Sequence, residues 1–419
     1  MDSIHVHGGV SLQGNVRIQG SKNAALPVLA ATILTKETNV IHNCPKIADV
    51  YKMLQLLTSI GCFVNWEGDG VRVDSSHVNL NKMPAEAITE MRSSLFLVGT
   101  LLGQTGEIVM DRPGGCVIGE RTIDLHIFAL EKMGVSFFES EAYIHAVARN
   151  LHGADILLEF PSVGATENII LAAVMAEGTT VIENAAREPE VVALCQYLKQ
   201  CGAWIEGEGS SRISITGGQR LYGSDFAIPA DRVVAGTYLF AALGTRGSVL
   251  LEDAPSEQME AVISLAEEMG AECQQETCGL YVQASEGLQL PQRIMTEPYP
   301  GFPTDLQSVA LACMTGIEGV CIMEEKIFEN RFRIVEYLRK MGADITTISE
   351  SAVRVNGGSP LQGCTVEAKE LRGGAALIIA ALMAEGETQV QGCHFIYRGY
   401  ENICRDLREL GARIYSVYK

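Results

Sequence analysis

Hydrophobic and polar positions along the chain repeat with a spacing of about 70 residues. In each repeat a helical pattern ends at a glycine, and a short β-like run of residues follows. Glycine suits this position because the residue that closes a helix commonly takes left-handed backbone angles. The six closing glycines are Gly61, Gly134, Gly202, Gly270, Gly342 and Gly411. The pattern predicts six copies of one structural unit.

A second landmark lies upstream of these glycines, where a helix of small and apolar residues ends at a turn and a strand follows. Clear examples of the turn and strand are residues 176–184 and 384–391. The helices at 235–243 and 375–383 have no polar face, which is typical of helices buried on all sides. We therefore expect an α/β protein with helices inside and sheets outside, an inside-out α/β barrel built from βαβαββ-type repeats.

Six units in 419 residues predict two domains of three units each. A boundary is expected near Pro229. If the strand around Gly14 pairs with the second half of the chain, one domain comprises residues 20–229 and the other comprises residues 1–19 with 230–419. A ligand site in the cleft between the two domains is then the default expectation.

Composition and net charge limit the classes of function that the chain can have. The net charge of −19 argues against general nucleic-acid binding, and cations that hold an anionic ligand must converge locally. The twelve cysteines form no CxxC pair and no zinc-spaced cluster with histidine, so we expect buried, reduced thiols and neither metal nor cofactor. The sequence shows no signal peptide and no apolar stretch long enough to enter and cross a membrane. These features indicate a cytoplasmic enzyme.

The loop at 111–121 lies between a strand-like run and a helix-like run. Pro113 bars regular structure, and the two glycines after it permit unusual backbone angles, so the loop presents Cys116 from adaptable backbone. Arg121 lies five residues further on. A thiol near fixed positive charge ionises more easily and can exchange a proton. A surface loop with an incidental cysteine is the alternative.

Two further candidates lie where helices begin. Lys22 and Asn23 follow a strand, at a turn where backbone N–H groups and a charged side chain can hold an anion. A capped turn beside an exposed lysine is the alternative. Asp305 opens another helix, where a carboxylate either caps the helix or acts as a general base.

Arginines recur in later units, and we expect them in corresponding loops. They are Arg331, Arg372 and Arg398, with Arg121 as their counterpart in the earlier unit. Single arginines are commonly solvated or paired at the surface. Equivalent positions in a repeat would instead bring these four to one rim. Converging cations in an acidic protein indicate an anionic substrate such as a phosphate or a carboxylate.

Motifs along essentially the whole chain resemble those of the UDP-N-acetylglucosamine 1-carboxyvinyltransferase family of enolpyruvyl transferases. The matching segments, in order, are 20–27, 113–119, 124–126, 161–168, 183–190, 302–305 and 328–331. The resemblance implies the inside-out barrel pair. It also implies transfer of the enolpyruvyl group of phosphoenolpyruvate to the 3-hydroxyl of UDP-N-acetylglucosamine, with release of phosphate. This reaction is the first committed step of peptidoglycan synthesis.

The resemblance further implies roles for individual residues. Cys116 would be the general acid and Asp305 would accept the proton of the sugar hydroxyl, with Lys22 and Arg398 completing the catalytic set. The residues implied for phosphoenolpyruvate are Lys22, Asn23, Arg121 and Arg398 at the phosphate and Arg331 and Arg372 at the carboxylate. The residues implied for UDP-N-acetylglucosamine are Arg92, Arg121, Thr122, Ile123, Asp124, Leu125, Pro161, Ser162, Val163, Gly164, Asp305 and Ile327.

Three positions depart from the family pattern. Val234 stands where a glutamate is usual, Glu370 where an aspartate is usual, and Tyr397 where an acidic residue is usual. These departures leave open a diverged paralogue with weak activity or a regulatory role. The sister enzyme 3-phosphoshikimate 1-carboxyvinyltransferase is the other alternative, although it has no cysteine in a Pro-Gly-Gly-Cys loop.

Overall fold

The computed structural model describes residues 2–78, 95–111, 123–139 and 143–417. The chain separates into two compact units. The described residues from 20 to 229 form one of them, here called the Lys22 unit. Residues 2–19 and 230–417 form the other, here called the Asp305 unit. Each unit has its own hydrophobic core.

The chain begins in the Asp305 unit with β1 (Ser3–His7) and β2 (Gln13–Arg17) and then enters the Lys22 unit. The helices described there are α1 (Lys22–Thr35), α2 (Ala48–Ser59), α3 (Phe96–Thr105), α4 (Asp124–Lys132), α5 (Val163–Ala173) and α6 (Pro189–Gln200). The strands are β3 (Thr38–His42), β4 (Phe63–Glu67), β5 (Gly70–Asp74), β6 (Glu107–Asp111), β7 (Val135–Glu139), β8 (Tyr143–Ala148), β9 (Asp155–Leu157), β10 (Thr179–Glu183), β11 (Trp204–Glu206), β12 (Arg212–Thr216) and β13 (Asp225–Ala227).

The rest of the chain completes the Asp305 unit. Its α-helices are α7 (Arg232–Gly244), α8 (Glu260–Glu268), α9 (Gln307–Thr315), α10 (Ile334–Lys340), α11 (Leu371–Met383), α12 (Cys393–Ile396) and α13 (Ile403–Glu409). Its strands are β14 (Ser248–Glu252), β15 (Ala271–Glu276), β16 (Gly279–Ala284), β17 (Arg293–Met295), β18 (Gly319–Glu324), β19 (Asp344–Ser349), β20 (Ala352–Gly357), β21 (Thr365–Glu367), β22 (Glu387–Gln391) and β23 (Arg413–Val417). Short 3-10 helices are Ser256–Gln258, Thr304–Leu306 and Arg331–Arg333.

Each unit contains three described sheets, and five of these six share one design. In the Lys22 unit their described strands are ordered β13-β3-β5-β4, β6-β8-β7 and β11-β12-β10-β9. In the Asp305 unit the orders are β15-β16-β14-β2, β17-β18-β20-β19 and β21-β22-β1-β23. Every four-stranded sheet has one parallel pair, at one edge, and two antiparallel pairs. The shared design confirms the predicted repeat.

Burial confirms that the helices without a polar face lie inside each unit, with the sheets outside them. Nearly every residue of α1, α5, α7, α9 and α11 is buried, as expected of helices without a polar face. The strands instead alternate, as in β10, where Thr180 and Ile182 are buried and their neighbours are more exposed. One face of each sheet therefore covers the apolar helices, and the other faces solvent.

The backbone at the repeat boundaries behaves as the sequence predicts. All six closing glycines have positive φ angles, from 89° at Gly134 to 104° at Gly202. A side chain at such a position is strained, so the helix-to-strand turns depend on glycine.

The N-terminal strand β2 pairs in parallel with β14, with Asn15 opposite Leu250. The strand near Gly14 therefore pairs with the second half of the chain, which is the condition on which the predicted domain division depends. β1 likewise lies between β22 and β23, antiparallel to both. The first residues of the chain therefore complete two sheets whose other strands come from beyond residue 230.

The fold predicts unequal costs for removing the same side chain from inside and outside. Ile378 in α11 is 0% exposed, whereas Ile348 in β19 is 54% exposed. We expect Ile378→Ala to lower the free energy of unfolding by about 2–5 kcal/mol because it leaves a cavity in the core. Ile348→Ala should change it by less than about 0.5 kcal/mol. Urea denaturation of both variants makes the comparison, and equal costs would contradict helices inside and sheets outside.

Candidate active site

Most of the predicted site residues that the structure describes lie at or near the N-termini of the buried helices. A helix N-terminus leaves N–H groups unpaired and carries partial positive charge, so it attracts acceptors and anions. Ser21 caps α1 through the N–H of Ala24, and Ser162 caps α5 through the N–H of Ala165. Asp231 caps α7 in the same way. The repeat thus places polar side chains at equivalent points in successive units.

The centre of the candidate site in the Asp305 unit is a carboxylate shared by two arginines. Asp305 belongs to the 3-10 helix that leads into α9. Arg331 Nη2 lies 2.5 Å from Asp305 Oδ1, and Arg372 Nη2 lies 3.1 Å from Oδ2. The structure therefore brings together three residues that the sequence places far apart.

Both guanidinium groups are buried, with side chains 1% and 3% exposed, while that of Asp305 is 27% exposed. Burial disfavours the charged form of Arg372, but the carboxylate of Asp305, with Tyr400 and Asp231, raises the pKa of this guanidinium above its usual value. Arg331 Nε and Arg372 Nη1 make no hydrogen bond with any residue in the described part of the chain. These two N–H donors match the chemistry of a carboxylate or phosphate ligand.

Aromatic rings and a helix cap hold the arginines in place. The guanidinium carbon of Arg331 lies 5.2 Å from the ring centre of Phe328, and that of Arg372 lies 5.8 Å from the ring centre of Tyr400. Glu370 caps α11 by accepting hydrogen bonds from the backbone N–H groups of Arg372, at 2.7 Å, and of Gly373. Glu370 therefore serves as the cap of α11.

One expectation from the sequence is wrong. Arg331, Arg372 and Arg398 do not lie in corresponding loops, because Arg331 begins a 3-10 helix and Arg372 is the second residue of α11. The counterpart of Arg372 in the repeat is Asn23, the second residue of α1. The glycines that follow Arg372 suggest a loop, but the carboxylate of Glu370 satisfies the first N–H groups and lets the helix begin.

Arg398 lies between α12 and α13, in a segment held by Gln19. The Gln19 side chain donates to the carbonyl of Gly399, 3.1 Å away, and accepts from the N–H of Glu401, 2.8 Å away. Gln19 thereby fixes the backbone directly after Arg398.

In the Lys22 unit, the ammonium group of Lys22 lies 3.1 Å from the carboxylate of Asp49. Lys22 and Asn23 are the first two residues of α1, and Asp49 is buried in the first turn of α2. The α2 dipole favours the negative charge of Asp49, which in turn holds the lysine. The alternative of a freely exposed lysine is wrong, since only 14% of the side chain is exposed.

The predicted sugar-nucleotide residues of α4 and α5 meet through His126. Asn168 Nδ2 lies 2.9 Å from His126 Nδ1, and Asn168 Oδ1 accepts from the N–H of Gly99 at 2.6 Å. A Cβ placed on Gly164 would lie 3.5 Å from the His126 ring. This contact brings the start of α4, with Ile123, Asp124 and Leu125 around it, close to the segment of Pro161, Ser162, Val163 and Gly164.

Arg92, Cys116, Arg121 and Thr122 lie outside the described residues. Ile327 follows β18 in the Asp305 unit, and its N–H donates to Glu325 at 2.7 Å. Sequence reasoning missed Glu325, Asp49, Asp231, Gln19 and Tyr400. Asp49 carried a partial signal, because it is an acidic residue in the otherwise apolar run 47–50, although nothing local indicates that Lys22 is its partner. Glu325 carried no signal, because charged Glu324 and Lys326 flank it. Gln19 and Tyr400 carried none, since their roles depend on contacts with distant residues.

Within the described ranges, no group of three histidine, cysteine or acidic side chains is arranged to hold a metal ion. Nor is any helix in those ranges long and apolar enough to cross a membrane. Most of the described cysteines are buried, as expected, but Cys278 is exposed. It lies in the tight turn between β15 and β16.

Glu167, in α5, is a buried acid that the sequence did not single out. Its side chain is completely buried, and Oε1 has no hydrogen-bond partner among the residues described. Burial, followed by the nearby carboxylates of Glu190 and Glu188, raises the pKa of Glu167 well above its usual value. The folded chain therefore holds this proton more tightly than the unfolded chain does.

We expect Asp305→Asn to destabilise the protein, although replacing an active-site residue often has the opposite effect. The change leaves Arg331 and Arg372 buried without the carboxylate that both contact, and the free energy of unfolding should fall by about 3 kcal/mol. Asp253→Asn is the matched control, since the Arg17–Asp253 pair is exposed and contributes at most about 1 kcal/mol. Urea denaturation decides, and an Asp305→Asn variant as stable as wild type would refute the shared-carboxylate interpretation.

Glu167→Gln should stabilise the protein increasingly as pH rises. Glutamine mimics the protonated acid, whereas the wild type must bury an ionisable carboxyl group. Because unfolded glutamate has a pKa of about 4.3 and the folded value is higher, wild-type stability falls as pH rises from there toward the folded pKa.

The free energies of unfolding of wild type and Glu167→Gln, measured between pH 4 and pH 8, test this. Their difference should be small near pH 4 and grow toward pH 8. Glu177→Gln, at an exposed position, is the control for replacing a carboxylate by an amide. A pH-independent difference for Glu167→Gln would mean that the acid is ionised in the folded chain.

Comparison with known proteins gives relatives over the full length. The family model described as EPSP synthase (3-phosphoshikimate 1-carboxyvinyltransferase) matches residues 6–407. The UDP-N-acetylglucosamine 1-carboxyvinyltransferase of Oleidesulfovibrio alaskensis is 44% identical over 417 residues, covering 100% of both chains. UDP-N-acetylglucosamine 1-carboxyvinyltransferase 2 of Caldanaerobacter subterraneus subsp. tengcongensis is 43% identical over the same length, also covering 100% of both.

Solved structures give the same fold. The enolpyruvyl transferase NikO from Streptomyces tendae superposes with a TM-score of 0.89 at 22% identity, covering 99% of each chain. An EPSP synthase from Acinetobacter baumannii gives a TM-score of 0.75 at 19% identity, covering 100% of each. With this fold and relatives 43–44% identical along their full length, the chain belongs to the UDP-N-acetylglucosamine 1-carboxyvinyltransferase family of enolpyruvyl transferases.

Proposed function

We propose that this enzyme transfers the enolpyruvyl group of phosphoenolpyruvate to the 3-hydroxyl of UDP-N-acetylglucosamine and releases phosphate, the first committed step of peptidoglycan synthesis. The observation that carries the proposal is the carboxylate of Asp305, which two buried guanidinium groups hold in a fixed position. A fixed carboxylate suits a general base, and neighbouring cations suit a substrate with several negative charges.

In the addition step, Asp305 accepts the proton of the sugar 3-hydroxyl while the hydroxyl oxygen bonds to C2 of phosphoenolpyruvate. Cys116 donates a proton to C3, so the enol double bond becomes a single bond and a tetrahedral intermediate forms. In the elimination step, C3 returns a proton to the Cys116 thiolate, the double bond re-forms, and the bond from C2 to the phosphate oxygen breaks with its electron pair leaving on phosphate, which takes up the proton held by Asp305. The products are the enolpyruvyl sugar nucleotide and phosphate.

The cations have separate tasks in this proposal. Arg331 and Arg372 face the substrate carboxylate, which is supported by their buried N–H groups without hydrogen-bond partners among the described residues. Lys22, Arg121 and Arg398 hold the phosphate, with Asn23 beside them. Positive charge around both groups stabilises the intermediate because it offsets negative charge without rearrangement.

The remaining predicted site residues bind the sugar nucleotide in this proposal. Ser162, Val163 and Gly164 offer backbone groups at the start of α5, where the helix dipole favours the diphosphate. Ile327 and Asp305 approach the sugar. The other residues in this role are Arg92, Arg121, Thr122, Ile123, Asp124, Leu125 and Pro161.

The description of the matching family model favours testing a second acceptor, shikimate 3-phosphate. That reaction uses the same donor and the same chemistry. The relatives at 43–44% identity, whose names specify UDP-N-acetylglucosamine, favour the sugar nucleotide. A diverged paralogue with weak activity would convert neither UDP-N-acetylglucosamine nor shikimate 3-phosphate efficiently.

We expect purified enzyme to release phosphate from phosphoenolpyruvate when UDP-N-acetylglucosamine is present, and not when shikimate 3-phosphate replaces it. The physical reason is that an acceptor hydroxyl must reach Asp305 while the rest of the acceptor is held elsewhere. Phosphate release and mass spectrometry of the product measure the outcome. Reactions without acceptor are the control. Release with shikimate 3-phosphate alone would transfer the assignment to the sister reaction, and release with neither would favour the weak paralogue.

A further inference from the structure

Glu325 lies immediately after β18 and is 2% exposed. Its carboxylate accepts four hydrogen bonds from three segments of the Asp305 unit. Oε1 accepts from the hydroxyl of Thr296 at 2.9 Å, the N–H of Ile327 at 2.7 Å and the N–H of Phe328 at 3.1 Å, and Oε2 accepts from the hydroxyl of Thr304 at 2.9 Å.

The sheet places this carboxylate where the three segments meet. β17 and β18 run parallel, with Met295 opposite Glu324, so Thr296 and Glu325 leave the sheet side by side. The hydroxyl oxygen of Thr296 also accepts a hydrogen bond from the N–H of Lys326 at 2.9 Å. This bond leaves the hydroxyl proton of Thr296 directed toward Glu325. The buried carboxylate and its four donors form one hydrogen-bond network, in which displacing one group disturbs the bonds of the others.

Two of these bonds lead directly to the shared-carboxylate site. Thr304 is the residue before Asp305, so its bond to Glu325 fixes the backbone from which the Asp305 carboxylate extends. Phe328 carries the ring on which Arg331 lies, 5.2 Å from the guanidinium carbon to the ring centre. Glu325 therefore holds the residue next to Asp305 and also the residue whose ring contacts Arg331.

A third bond leads to the sugar-nucleotide residues. The N–H of Ile327 donates to Glu325, so the same carboxylate sets the backbone that presents Ile327. The group proposed to accept the sugar proton and a group proposed to contact the sugar thus share one anchor.

We propose that Glu325 is a positioning residue that holds Asp305 at the distance and angle needed to accept the proton of the acceptor hydroxyl. This inference rests on the role given to Asp305 in the proposed function. Glu325 itself touches no substrate in this scheme. It acts through the Thr304 hydroxyl on one side and the backbone of Ile327 and Phe328 on the other.

If Glu325 had only a structural role, a different result would be expected. A buried network that only stabilises the fold would lower the unfolding temperature when broken and leave the turnover of folded enzyme unchanged. A positioning role lowers kcat in enzyme that remains folded, because a displaced base affects the transition state more than substrate binding.

Replacing Glu325 itself is a poor test, since Glu325→Ala leaves four donors without an acceptor in a buried place. Thr304→Val removes only the hydroxyl and keeps the shape of the side chain. Thr304→Ser keeps the hydroxyl and should restore the bond. Thr388→Val is the matched control: Thr388 is buried in the same unit, and its hydroxyl has no hydrogen-bond partner within the described ranges.

The experiment measures kcat and both KM values for wild type and the three variants, with thermal unfolding to confirm that each is folded. We expect Thr304→Val to lower kcat about tenfold or more, with the KM for phosphoenolpyruvate within about threefold of wild type. Thr304→Ser should recover kcat to within about threefold, and Thr388→Val should match wild type within about twofold.

Two results would overturn the positioning role. One is a Thr304→Val enzyme with wild-type kcat, whether or not its unfolding temperature falls. The other is Thr304→Ser as slow as Thr304→Val, since the hydroxyl would then be irrelevant. Failure of the proposed function has a different signature, which is a wild-type enzyme that releases no phosphate with UDP-N-acetylglucosamine.

Discussion

Two buried guanidinium groups share one carboxylate in the Asp305 unit, and much of the local structure serves this arrangement. Burying an arginine is costly unless a counter-charge and hydrogen bonds compensate for lost water. Asp305 supplies the counter-charge, and the rings of Phe328 and Tyr400 cover the guanidinium faces. Arg331 Nε and Arg372 Nη1 still have no hydrogen-bond partner among the described residues, so the two arginines keep donors for an anionic ligand.

The repeat explains why chemical groups gather at helix N-termini in both units. A helix of apolar residues can be buried on all sides only if its first N–H groups find acceptors. Ser21, Ser162, Asp231 and Glu370 meet that need at the starts of α1, α5, α7 and α11. Side chains next to these caps, among them Lys22 and Arg372, lie in a polar setting within an apolar unit. The capped starts of the buried helices therefore provide the positions at which the proposed catalytic and binding side chains lie.

The sequence predicts the repeated fold well because its signals are local. The closing glycines have the left-handed angles that the pattern requires, and helices without a polar face are buried. Candidate residues inside motifs, such as Lys22 and Asp305, could be named, but their partners could not. The bond from Lys22 to Asp49 and the four bonds to Glu325 depend on tertiary contacts that no spacing encodes. Arg372 was misplaced because its glycine neighbours suggested a loop, when the carboxylate of Glu370 starts a helix there.

The central claim is that the carboxylate of Asp305 accepts the proton of the acceptor hydroxyl. The most direct test is the single-turnover rate of Asp305→Ala at saturating phosphoenolpyruvate and UDP-N-acetylglucosamine, with binding of the sugar nucleotide confirmed by calorimetry. Loss of a general base should slow the reaction by about 10²–10⁴-fold while the sugar nucleotide still binds. A rate within tenfold of wild type, with both substrates bound, would contradict the claim and assign the proton to another group.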